Sequence, residues 1–265
     1  MAKEIKHIND TVSDLPEGFK MTELGPLPEE WEVVRLGEVV DYHLGRTPPR
    51  KEKVYWENGT IPWVSIADMN NNPVITSTKE YITEEALSKI FKGKIVNKGT
   101  LLMSFKLTIG RTAILGVDAT HNEAIISIHL KPHVDKMFLF YYLPTINYTN
   151  YVDKVVKGNT LNKAKIDNIL IPLPPLSEQK AIAYVLQTVQ RAKEATEKVI
   201  QATQELKKSL MRHLFTYGPV PIDEVDKVQL KETEIGLVPE HWEVVRLGDI
   251  FEICLLYTSP SPRDS

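Results

Sequence analysis

Residues 172–179 read PLPPLSEQ, and the chain changes character across them. Pro172, Pro174 and Pro175 forbid a regular helix, because proline has no N–H to donate and its ring clashes with the preceding turn. From there to about Phe215 the chain has neither proline nor glycine. Ser177 is a good N-cap, and Glu178 falls in the first turn, where the helix dipole favours an acid. Two sets of positions seven apart then run in parallel: Ile182, Val189, Thr196, Thr203, Leu210, and Val185, Ala192, Val199, Leu206, His213. This is the seam of a long amphipathic helix of coiled-coil type, with Ile182, Val185, Val189, Val199, Leu206 and Leu210 as its apolar members. At about 1.5 Å per residue it spans roughly 58 Å. Such a helix needs a partner helix for its seam, and Gly218–Pro219 ends it.

Upstream of this junction the pattern is different. From 44 to 175, short apolar runs are broken by Gly, Pro, Asn and Thr, as in IPWVSI (61–66), KIVNKGTLLMSF (94–105), TAILGV (112–117) and AIISIHL (124–130). Their β-branched content and punctuation predict strands and turns. Helical inserts fit TEEALSKIF (83–91) and the aromatic MFLFYYLPTI (137–146), whose rings are expected to pack on the sheet. The fold class is therefore mixed, α+β: a β-rich domain followed by the long helix.

A repeat brackets both. ELGPLPEEWEVVRLGEVVD occupies 23–41 and EIGLVPEHWEVVRLGDIFE occupies 234–252, with WEVVRLG identical in both copies. Trp242 lies 211 positions after Trp31 (242 − 31). The chain is thus expected to hold an irregular arm at 1–22, a complete domain at 23–175, the helix at 176–218 and a linker at 219–233. The opening of a second domain follows at 234–253, and the tail at 254–265, which does not continue the repeat, reads as a truncated or non-native end.

Bulk properties narrow the function. The single cysteine, Cys254, rules out an internal disulfide framework and fits a reducing compartment. No apolar run approaches the ~18 residues of a membrane span, and the N-terminus lacks the apolar core of a signal peptide, so a cytoplasmic location is expected. The net charge is −3, but it is unevenly spread. Residues 86–117 contain no acid and carry Lys89, Lys92, Lys94, Lys98, Lys106 and Arg111, and 154–166 holds four lysines and no acid. Local asymmetry of this kind matters more for a polyanion partner than the total does.

The sequence shows no phosphate-binding GxxxxGK[ST] loop, no dinucleotide fingerprint and no His/Cys cluster of metal-site spacing. It also lacks the Asp/Asn-Pro-Pro-aromatic motif of an amino-methyltransferase. His121 and Glu123 share a strand face at i and i+2, and they are read as a structural or surface pair. Four basic, turn-rich loops offer a better case for nucleic acid: 45–56, 59–69, 104–115 and 157–166. Arginine reads guanine edges bidentately and lysine neutralises phosphate. The candidate base readers are Arg46, Thr47, Arg50, Arg111 and Asn159. The candidate phosphate contacts are Lys92, Lys94, Lys98, Lys106 and Lys163. Trp63 reads as a core residue.

These stretches carry a resemblance. TELGPLPEEWEVVRLGEV (22–39), GRTPPRKEKVYWENGTIPWVSIADM (45–69), KGTLLMSFKLTIGRTAIL (98–115) and GNTLNKAKIDNILIPLPPLSEQKAIA (158–183) resemble the specificity subunits of type I restriction–modification systems over about residues 22–252. The resemblance implies a target-recognition domain followed by a helical spacer. A full subunit of that family carries two recognition domains and two antiparallel helices, and each domain reads one half of a split site in double-stranded DNA. The subunit is not catalytic and has no cofactor of its own. It docks modification subunits, which bind S-adenosylmethionine and methylate adenine, and the complex recruits a restriction/translocase subunit. This chain departs from the pattern in showing one domain, one helix and only the doorway of a second domain. A homodimer through the helix and a truncated chain both fit. Two readings from other classes stay open: a coiled-coil assembly adaptor without DNA affinity, and the recognition fragment of a fused DNA-modifying enzyme.

Overall fold

The computed structural model describes residues 15–69, 73–151, 153–155 and 158–251, with the side chains of 152–160 outside that description. The chain divides into two compact units, Met1–Val189 and Gln190–Ser265.

The first unit is built on a five-stranded sheet. Its order is Val40–Leu44, Ile125–Leu130, Leu101–Ser104, Thr112–Leu115, Val74–Ile75, antiparallel except for the last pair. The alternation in AIISIHL explains how this sheet is covered. Ile126 and Ile128 point to one face, where they join Leu101, Met103 and the aromatic helix Lys136–Tyr142 through Phe138 and Leu139. Ile125 points to the other face, with Leu102, Ala113 and Leu115. There a second, three-stranded sheet contributes Val64; its order is Thr120–His121, Ile61–Val64, Glu80–Ile82. Trp63 is 2% exposed in a third apolar cluster beside the helix Glu84–Phe91. Thr83 caps that helix by accepting from Ala86 N, as its residue type favours.

The first copy of the repeat closes this unit. Strand Glu32–Arg35 pairs antiparallel with Leu170–Leu173, so the beginning and end of the domain meet. A one-turn helix, Leu36–Val39, follows, with Leu36 fully buried and its N–H bonded to Ile169 O at 2.8 Å. Trp31 Nε1 donates to Glu178 Oε2 at 2.9 Å. Gln179, wholly buried, donates to the carbonyls of Pro174 (2.8 Å) and His133 (3.1 Å) and accepts from Asp135 N (2.8 Å). Two neighbouring residues of LSEQ therefore fasten the start of the long helix to the domain.

That helix runs Leu176–Tyr217, 42 residues. It begins one residue ahead of Ser177, which lies in the first turn and is not the cap. Pro175 O receives the N–H groups of Glu178 (2.9 Å) and Gln179 (3.0 Å) and so opens the helical bonding itself. Two segments read as irregular are ordered. Phe19–Thr22 pairs with Gly25–Pro28, and Leu230–Thr233 pairs with Gly236–Pro239 in the second unit. The expected linker also holds a 3-10 helix, Ile222–Lys227. Both hairpins are the same object 211 positions apart, and each is closed by a threonine hydroxyl donating to a glycine carbonyl at 2.7 Å (Thr22 to Gly25, Thr233 to Gly236). The second strand of each hairpin lies inside the sequence repeat, and the structure extends that repeat upstream to Phe19 and Leu230. Among the described residues no helix is long and apolar enough to cross a membrane.

Candidate nucleic-acid interface

Three chain reversals gather at one end of the five-stranded sheet. Leu44 lies opposite Ile126, and Ile125 lies opposite Ser104. The loop after Leu44, the turn after Ser104 and the 121–124 turn therefore leave the sheet together. Backbone bonds tie them: Gly45 N to Ile125 O (3.2 Å), Arg46 N to His121 O (2.8 Å), Phe105 N to Ala124 O (2.9 Å) and Leu161 N to Phe105 O (3.0 Å).

The loop GRTPPR (45–50) is held at nearly every residue. A Cβ at Gly45 would come within 2.1 Å of Asn122 O and 2.2 Å of His121 O, so only glycine allows this approach. Thr47 Oγ1 donates to Glu123 Oε2. Trp63 Nε1 donates to Arg46 O at 2.9 Å, and Trp56 Nε1 donates to Pro49 O at 3.2 Å. The Arg50 guanidinium lies 4.0 Å from the Trp56 ring centre and 4.8 Å from that of Trp63, with both its terminal nitrogens on the Glu80 carboxylate. Arg50 is thus engaged within the domain, where it stiffens the loop. Arg46 is exposed at the loop's start.

Arg46, Lys92 and Lys94 line one cleft of about 710 Å³ together with His43, His121 and His129, and no Asp or Glu lines it. Lys92 (φ 56°) and Gly93 (φ 71°) turn the chain sharply after the helix Glu84–Phe91, which brings both lysines to this wall.

The other candidates lie elsewhere. Lys106 and half-buried Arg111 flank the turn after Ser104, with Lys106 Nζ 5.4 Å from the Phe105 ring centre. That turn is tight because Gly110 (φ +83°) sits against Tyr148, whose ring would meet a Cβ at 2.2 Å. Leu107 is 68% exposed at its tip. Lys98 lies at the opposite end of the sheet, before Leu101, and its N–H bonds Asp118 Oδ1 at 2.7 Å. Lys163 opens the short helix Lys163–Asp167 beside a second cleft that also holds Glu38, Asp41 and Asp167, so its surroundings are partly acidic. There Tyr42 donates to Asp167 Oδ1 at 2.7 Å, and burial together with this carboxylate pushes the phenol well above its ordinary range. Asn159 lies in a strand paired with Asp153–Val155, and its side chain is outside the described residues.

His121 and Glu123 do not pair. His121 is 3% exposed, with Nδ1 3.3 Å from Asn122 O, and burial pushes it down to about 4, so it is neutral near pH 7. Glu123 turns to Thr47 instead. Sequence reasoning missed His43 and His129, whose rings meet edge to face at 5.1 Å. The signal was there: in AIISIHL the alternation puts Ser127 and His129 on the face of Ile125, where a strand buried on both faces would carry apolar residues. Among the described residues no group of three or more His, Cys, Asp or Glu is placed to hold a metal ion.

On the long helix, the seam residues Val185, Val189, Val199, Leu206 and Leu210 are 58, 62, 65, 58 and 42% exposed, and Ile182 is half-buried against the domain core.

The chain thus combines a β-rich domain that carries a braced basic loop with a long helix whose apolar seam is exposed. The model of the type I restriction modification DNA specificity domain matches residues 28–208. The chain belongs to that family. The specificity subunit of the type I restriction enzyme MjaIX from Methanocaldococcus jannaschii is 30% identical over 247 residues, covering 89% of this chain and 55% of its own length. The EcoR124I/EcoR124II specificity subunit of Escherichia coli is 28% identical over 166 residues, covering 59% of this chain and 40% of its own. In fold, the chain is similar to the HsdS subunit from Thermoanaerobacter tengcongensis, with a TM-score of 0.52 at 22% identity, covering 81% of this chain and 54% of that one. The chain spans about half the length of the M. jannaschii relative.

Proposed function

We propose that this chain reads one half of a split site in double-stranded DNA and carries that reading to a type I restriction–modification complex. The observation that carries the proposal is the braced 45–50 loop, which presents Arg46 at the mouth of an acid-free cleft beside Lys92 and Lys94. A loop fixed before binding loses little conformational freedom on contact, which favours a defined register on the duplex. Arg46 is the leading base reader. Thr47 and Arg50 act mainly by holding it, with Arg111 and Asn159 as further contacts. Lys92 and Lys94 take phosphates, with Lys106 on the neighbouring turn and Lys98 and Lys163 on outlying ones. The chain catalyses no step and needs no cofactor. S-adenosylmethionine belongs to the methyltransferase subunit that it docks, alongside the restriction/translocase subunit, and the work is done in the cytoplasm.

The test is duplex binding by the full chain across a salt series. Affinity should fall steeply with salt. Arg46→Ala should cost about 1–3 kcal/mol on the cognate half-site and much less on random duplex. Equal losses on both would remove Arg46 from base reading, and absence of salt-dependent binding would sink the proposal.

The exposed seam accepts an antiparallel helix, and a second copy of the chain is the partner we propose for it; such a pair would present two recognition domains and a palindromic site. Sedimentation should give a dimer that Val199→Asp converts to monomer, since an unpaired charge buried in a seam is strongly destabilising. A monomer at micromolar concentration in the unsubstituted chain would rule this out.

A further inference from the structure

We propose that the cleft lined by Arg46, Lys92 and Lys94 is a phosphodiester site in which the His43–His129 pair, once protonated, grips the DNA backbone. This rests on the DNA-reading proposal and adds a pair of ligands to it. The ligand class follows from the lining, which has three fixed cations, two exposed imidazoles and no carboxylate in a volume of about 710 Å³, although His43 also borders the second cleft, where Glu38, Asp41 and Asp167 lie.

The sheet explains why the imidazoles face the cleft. Among the described residues Val40–Leu44 is its edge strand and pairs only with Ile125–Leu130. The second sheet covers Ile125, but the exposure of His43 and His129 shows where the cover ends. Ser127 lies opposite His43, its hydroxyl 3.4 Å from His43 O, while His129 lies opposite Asp41. The two imidazoles are therefore diagonal neighbours across the strand pair, within reach of one another at 5.1 Å.

Two imidazoles in contact repel when both are charged. Burial and the neighbouring His43 hold His129 below its ordinary value, against the opposing pull of Asp41. Buried His121 at the cleft wall stays neutral, and Arg46, Lys92 and Lys94 line the same cleft. A phosphate reverses this balance: it accepts hydrogen bonds from both rings, and protonation gives each ring a positive charge and a second N–H donor. DNA binding should therefore raise the affinity of His129 for a proton, take up protons and tighten as pH falls.

The test uses the full chain and a random-sequence duplex, followed by fluorescence anisotropy at pH 8.0 and pH 6.0. The unsubstituted chain should bind about tenfold more tightly at pH 6.0, with the slope of log K against log salt steeper by about one to two. The H43Q/H129Q variant should lose that pH-dependent gain. K92Q/K94Q should bind more weakly at both pH values and keep the gain. A pH-dependent gain undiminished in H43Q/H129Q would overturn the inference while leaving DNA reading intact. Absence of any DNA binding by the unsubstituted chain would defeat both. Without any substitution, the His129 imidazole resonance should titrate at higher pH with DNA than without, and an unmoved titration would also overturn the inference. Inorganic pyrophosphate is the competing probe: displacement of DNA at micromolar concentrations would assign the cleft to free phosphate, against the backbone assignment.

Discussion

Trp31–Val39 and Trp242–Ile250 carry almost the same residues and differ in what surrounds them. In the first, Glu32–Arg35 is a strand paired with Leu170–Leu173, and Leu36 and Val39 are 0 and 2% exposed. In the second, residues 242–246 form no strand, and Leu247 and Ile250 are 70 and 59% exposed. Their flanks nonetheless agree. Both copies form the preceding hairpin with the same threonine–glycine bond, and both form the one-turn helix, Leu36–Val39 and Leu247–Ile250. The elements with local bonding appear twice. The strand appears once, because its partner lies 135 or more positions away, at Leu170–Leu173 (170 − 35), and no described residue supplies the like to the second copy. A short strand contributes stability mainly through its cross-strand partners.

The comparison can be broken at two places. The larger effect belongs to the leucines. Leu36→Ala should cost about 2–5 kcal/mol, as for other fully buried leucines, and Leu247→Ala should stay within about 0.5 kcal/mol. Urea unfolding followed by circular dichroism would measure both, and equal losses would show that the second copy is packed in solution. A smaller effect belongs to the tryptophans. Trp31→Phe removes the bond to Glu178 and should cost about 1 kcal/mol, whereas Trp242→Phe should change stability by less than about half of that. A matching loss at Trp242 would reveal an equivalent partner for its indole.

The candidate interface divides in the same way. The basic runs around Arg46, Lys92 and Lys94 were legible from the sequence, since charge needs no fold to be counted. Their convergence on one cleft was not, nor was the parting of Lys98 and Lys163 from it, because sheet register decides which end of a strand a loop leaves. Arg50 shows the limit at a single residue. Its run of charges suggested a free base reader, yet two tryptophans and Glu80, drawn from separate strands and turns, hold it as a brace. Strand alternation marks His129 as a polar residue on a face that should be apolar, but nothing local points to His43, and only the pairing of Ile125–Leu130 with Val40–Leu44 brings the two together.

The sequence by itself determined the mixed fold class, the long helix with its apolar seam, the repeat, and the family to which the chain belongs. Those features rest on periodicity, proline punctuation and local motifs, which are written into neighbouring residues. Tertiary structure alone decided that one WEVVRLG becomes a closing strand with its leucine buried while the leucine of the other stays exposed, and that a loop, a turn and two strands make one basic cleft. Each of those outcomes depends on contacts between residues far apart in the chain, where burial and cross-strand bonding override what identical local sequence would otherwise do.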